Sequence, residues 1–150
     1  SGDKLIDKLL DVGNLFIRSL LLHDKMFADN ARKILSARQM QLLYFMQLWG
    51  AIDFVMQSEG SADTIKFMVA MSLLPDGGDG KALFQWDADQ VRQAIAQVEE
   101  AQVTDWGMQV IVSGGRSLQQ ILRGEDGGAS LDDVLNDAGV LVALKDFAPD

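Results

Sequence analysis

Between Asp3 and Leu22 the polar residues Lys4, Asp7, Lys8, Asp11, Asn14 and Arg18 recur every three or four positions, with Leu5, Ile6, Leu9, Leu10, Phe16, Ile17, Leu20 and Leu21 between them. That period predicts an amphipathic helix with one wide apolar face. His23-Asp24 interrupts the pattern, and Met26 to Leu35 reads as a shorter helical piece with Asp24 as its cap. Ser36 and Gln39 then match a capping box, in which the serine oxygen takes a backbone N–H while the glutamine side chain reaches back. From there to Gln57 the chain reads SARQMQLLYFMQLWGAIDFVMQ, with Met40, Tyr44, Leu48, Ile52 and Val55 on one helical face and Leu42, Phe45, Met46, Trp49 and Met56 on others. A helix apolar all round has to be covered on most sides. A second apolar helix follows Ser61, runs through Ile65, Phe67, Met68, Val69, Met71 and Leu73, and stops at Pro75. Joined by the few residues around Glu59-Gly60, the two are expected to pack antiparallel as the centre of the fold.

Beyond them the signals are punctuation. Pro75 to Lys81, PDGGDGK, reads as a loop because glycine at that density gains nothing in a helix. Asp87 with Gln90 repeats the capping box and opens a helix to about Val103, with Val91, Ile95 and Val98 on one face. Thr104 or Asp105 starts another that ends near Gly114; Ser117 with Gln120 reads as a third box, opening a short helix closed by Gly124. After the loop GEDGGAS, Ser130 caps a helix from Leu131 to Ala138. Val140 to Leu144 is wholly apolar and fits strand or helix by periodicity alone, with Val110 to Val112 as its one credible strand partner. A single pair of short strands is marginal. The expected fold is therefore all-α, one domain over 1–150: a bundle of about six to eight helices around two central apolar helices at roughly 37–58 and 62–74, with a minor strand pair near 110–112 and 140–144 as the one variant.

Composition narrows the functional classes. The chain has 150 residues, 48% of them hydrophobic, enough to bury a core without staples, and it has no cysteine, which excludes disulfides, thiolate metal sites and cysteine nucleophiles. Absence of cysteine suits a reducing cytosol, so a cytoplasmic location is expected. Lysine and arginine number 13 against 22 acids, a net charge of -9. That field repels nucleic acid and anionic lipid and attracts a basic partner. Membrane insertion is not expected, because a span needs ~20 residues nearly free of charge, and the richest apolar stretch carries Arg38, Gln39, Gln41, Gln47 and Asp53. Ser1-Gly2 reads as the remnant of a cleaved tag, and the chain as a domain taken from a longer protein.

Each candidate for chemistry has a plainer competitor. SGGRS, Ser113 to Ser117, could form an anion-binding nest beside Arg116, yet a helix C′ glycine and a following N-cap serine explain the same letters. The phosphate-loop and dinucleotide patterns are both missing, so no cofactor is expected. DGGDG does not meet the calcium-loop template, since its third and fifth places are Gly78 and Gly80; Asp76, Asp79 and Asp87 could touch a divalent ion only weakly, and no metal is expected. His23 is the one histidine, which rules out His-pair metal sites and reads as a residue at the junction between two helices. Asp53, between Ile52 and Phe54, is either a buried acid with a raised pKa or the wet strip of its helix. The methionines from Met40 to Met71 are core filling before they are a plastic groove.

No catalytic set emerges, and a non-catalytic helical interaction or regulatory domain is the first functional expectation. On that reading Leu5, Leu9, Phe16 and Leu20 either close the core or dock on another protein or a second copy of the chain. The alternative is a sensor or carrier holding a small apolar ligand near Tyr44, Trp49, Asp53 and Met68. A third reading is an acidic inhibitor of a basic protein, drawn to it by charge.

Overall fold

Helix is the one regular structure among the described residues, which in this computed structural model are 2–57, 63–75 and 78–150. The order is α1 (Gly2–Phe27), α2 (Asp29–Arg32), α3 (Ala37–Gln57), α4 (Asp63–Leu73), α5 (Gly78–Phe84), α6 (Ala88–Ala101), α7 (Asp105–Leu122), α8 (Gly128–Leu135) and α9 (Ala138–Phe147). The fold is all-α, and no described helix is long and apolar enough to cross a membrane. Buried side chains from the helices form one hydrophobic cluster.

The first amphipathic pattern does not stop at His23-Asp24. Neither residue is a helix breaker, and both find partners without leaving α1: His23 faces α8 and Asp24 faces α3. Met26 and Phe27 therefore belong to α1, and what remains of the expected second piece is the single turn α2. The Ser36 capping box forms as the sequence predicts, with Gln39 N donating to Ser36 Oγ at 3.2 Å and Ser36 N to Gln39 Oε1 at 2.9 Å. It launches α3, which is buried around most of its circumference; Leu43, Phe45 and Trp49 are covered, while Phe67 on α4 is 39% exposed.

The principal partner of α3 is α7 and not α4. Where the sequence suggests two consecutive helices packed as a central pair, α4 lies mainly against α1 and α6, and its expected start at Ser61 and the link at Glu59-Gly60 fall outside the described residues. The reason is steric. At the α3–α7 crossing a Cβ on Gly50 would stand 1.7 Å from the Ile111 carbonyl oxygen, and one on Gly114 would stand 1.8 Å from the Gln47 carbonyl oxygen. Backbone meets backbone there, a closeness that the side-chain-covered faces of α4 do not permit.

SGGRS is thus neither a nest nor a helix boundary but the middle of α7, and Ser117 is a buried interior residue instead of an N-cap. The real start is the Thr104 cap, whose hydroxyl oxygen accepts from Gly107 N at 3.0 Å. The real end is Gly124, at φ +79, where Glu125 N donates to the Gln120 carbonyl and Gly124 N to the Ile121 carbonyl. That pair of bonds is a Schellman closure, and glycine supplies the left-handed conformation it needs.

Three further expectations change. Val110–Val112 and Val140–Leu144 are helical, within α7 and α9, so there is no strand pair. Residues 78–81 of the expected loop open α5, and α8 begins at Gly128, ahead of Ser130. The Asp87–Gln90 box forms as expected and starts α6.

Candidate functional site

α1 presents two apolar faces with different fates. Leu9, Phe16 and Leu20, with Ile17, have no exposed surface, and Leu5 is partly buried against the same core. The face that the sequence leaves open between closing the core and docking closes the core. On the outer side lie Leu15, Leu22 and Met26, exposed by 40%, 57% and 58%. Their spacings of seven and four residues put them on one stripe.

The residues named for a ligand separate into two places. Tyr44 lies in a cleft of about 440 Å³ between the end of α1, α2, the start of α3 and α5. Its hydroxyl donates to Asp24 Oδ1 at 2.7 Å, and Arg32 Nη2 contacts the same oxygen while Arg32 Nη1 donates to the Asp24 carbonyl at 3.2 Å. Burial, and after it the bond to Asp24 and the charge of Asp24, push the Tyr44 phenol far above its usual range, so it stays protonated. Leu35, Met40 and Leu83 supply apolar wall.

Trp49, Asp53 and Met68 sit elsewhere. Asp53 is neither a buried acid nor a free one: Lys66 Nζ lies 3.1 Å from its Oδ1, Gln57 Nε2 donates to its Oδ2 at 3.3 Å, and the same Lys66 nitrogen stands 4.9 Å from the centre of the Trp49 ring. The half-exposed acid thus anchors a lysine that is largely covered, its aliphatic stem lying along apolar surface. Met68, on the same helix as Lys66, is exposed. Met40, Met46 and Met56 are core filling.

His23 is buried within α1, its Nδ1 3.1 Å from Asp132 Oδ1 and its ring tilted against Phe27 with centroids 5.2 Å apart, so it braces α1 against α8 and is not at a helix junction. Among the acids of the first glycine loop, Asp79 pairs with Arg18 at 3.0 Å, Asp87 is consumed by its capping box, and Asp76 falls outside the described residues. No group of three metal-binding side chains exists among the described residues. A smaller groove of about 270 Å³ lies between the start of α3, α6 and residues 147–150, lined by Gln41, Gln90, Gln93 and Gln97. The chain's own end already uses it, for Gln39 Nε2 donates to the Ala148 carbonyl at 2.9 Å.

Asp24, Arg32 and Lys66 are the site residues that sequence reasoning misses. Lys66 carries a signal, being the one cation in a mostly apolar helix. Asp24 and Arg32 carry none, because their meeting with Tyr44 depends on how α2 folds back over α3. Compared with protein-family models, curated proteins and solved structures, the chain matches none.

Proposed function

We propose that this protein is a non-catalytic helical interaction domain, and that its recognition surface is the outer stripe of α1. The observation that carries this reading is the exposure of Leu15, Leu22 and Met26 on one side of a helix whose other side already satisfies the core. Over eleven residues the stripe is about 16 Å long at 1.5 Å per residue, the length over which three turns of a partner helix could lay an apolar face. Exposed apolar side chains scattered singly need no explanation, whereas aligned ones on a long helix suggest a docking face.

The net charge of -9 selects the occupant. Two copies of this chain repel one another, while a basic amphipathic helix on a partner protein is drawn in and gains apolar contact on arrival. The test is calorimetric titration with a synthetic amphipathic helix of leucine and lysine. Replacing both Leu22 and Met26 by Glu is expected to weaken binding at least tenfold, or about 1.4 kcal/mol. Val103→Glu, at an 82% exposed apolar site off the stripe, should leave it within about twofold. Binding that both changes leave unchanged or strengthen means that charge alone holds the peptide and sinks the assignment. A parent dimer in light scattering that the double variant dissolves would give the stripe to a second copy instead.

A further inference from the structure

The cleft beside Tyr44 has the make-up of a small-molecule site and takes no part in the α1 stripe. Its volume of about 440 Å³ falls inside the roughly 300–1,000 Å³ range of ligand pockets, and it combines apolar wall with a few converging polar groups. The walls are Leu35, Met40 and Leu83, each mostly covered by the fold with an edge left open to the cleft, so the apolar surface is held in place before any ligand arrives.

Its polar end is closed on itself. Tyr44 has spent its one donor on Asp24 Oδ1, and Arg32 holds that same oxygen, so the single negative and single positive charge lining the cleft neutralise each other at contact distance. The other nearby carboxylate, Asp29, is 3.8 Å from Arg32 and faces solvent. An anion entering here is repelled by Asp24 and a cation by Arg32, and either meets a pair already neutralised at contact distance, so an ion gives up its hydration without gaining a net countercharge. An uncharged ligand leaves the pair intact. What stays available to it is Asp24 Oδ2 as an acceptor and the remaining N–H groups of Arg32 as donors.

We propose that the cleft binds a small, uncharged, mostly apolar molecule carrying one hydroxyl or carbonyl group, its head against Asp24 and Arg32 and its hydrocarbon body against Leu35, Met40 and Leu83. The inference names a different place from the sequence expectation, for of Tyr44, Trp49, Asp53 and Met68 only Tyr44 lines this cleft.

The experiment titrates the full chain with 1-octanol, octanoate and octylammonium, matched in hydrocarbon and differing in charge. Saturable binding of octanol to one site is expected, with both ions at least tenfold weaker, and methyl signals of Met40 and Leu83 should shift on addition of octanol. Ala37, exposed at the mouth, provides the variant: Ala37→Trp fills the opening without touching the core and should weaken octanol at least tenfold while the circular dichroism and melting temperature stay unchanged. Absence of saturable octanol binding, tighter binding of either ion, or an Ala37→Trp protein that binds octanol as the parent does would each overturn the proposal. Shifts confined to methyls outside the cleft would do so as well.

Discussion

Gly50 and Gly114 set the distance between the two helices at the centre of the molecule. A methyl group on Gly114 would lie 1.8 Å from a main-chain oxygen of α3, and neither backbone can yield without moving its whole helix. Alanine's better helix propensity is worth at most about 1 kcal/mol, while overpacking costs roughly 1–3 kcal/mol and more where backbone is struck. Packing wins. Gly114→Ala is expected to lose about 3 kcal/mol in urea denaturation. Gly139→Ala, exposed in the first turn of α9 with its nearest neighbour a side-chain oxygen at 3.3 Å, should stay within about 1 kcal/mol of the parent. Comparable losses at the two positions would show that the α3–α7 distance is not what glycine protects. The letters Gly114-Gly115 were legible as special, but not in what way: a C′ glycine and a crossing glycine look alike until the opposing helix is in place.

At the scale of elements, caps carried the sequence reading. Ser36, Asp87 and Thr104 start helices because their side chains satisfy backbone donors within three residues, a purely local event. Where apolar runs are short, periodicity leaves strand and helix open. Val140–Leu144 is helical because Asp137 caps α9, its Oδ1 accepting from Val140 N at 3.1 Å. That bond, with a second from Gln109, holds the Asp137 carboxyl below its usual pKa. α1 yields the sharpest expectation here. Leu9, Phe16, Ile17 and Leu20 are fully buried in the common core, and each large apolar side chain removed from an interior costs about 2–5 kcal/mol, against a total stability of about 5–15 kcal/mol for a typical domain. A chain lacking residues 1–22 should therefore aggregate or lose its cooperative melt in circular dichroism. A soluble, sharply melting remainder would contradict the placement of α1 in the core.

For the molecule as a whole, Tyr44 is the point where α1, α2 and α3 are tied by polar bonds as well as by packing. Its folded-state pKa is raised, chiefly by burial and then by Asp24, while in the unfolded chain it titrates near 10. The stabilisation it gives is thus fully present below about pH 10 and declines above it, as the unfolded chain releases a proton that the folded one retains. Because the chain has one tyrosine, phenolate absorbance reports this group alone. It should appear only together with loss of helix at alkaline pH, and Tyr44→Phe should flatten that part of the stability profile. Ionisation near pH 10 with the helices intact would show that the hydroxyl is not held as described.

The sequence by itself determined that the chain is helical, where α3, α6 and α7 begin, and that the Met40–Met56 segment is interior, because periodicity and capping act within a few residues of each other. It also fixed the net charge of -9. Only the tertiary structure decided that α7 and not α4 covers α3, that the inner face of α1 is core while its outer face is open, and that Tyr44 parts company with Trp49, Asp53 and Met68. Those outcomes depend on which distant backbones can approach within a glycine's width, and on where α2 lays Arg32 across Asp24, relations between residues far apart in the chain that no local spacing records.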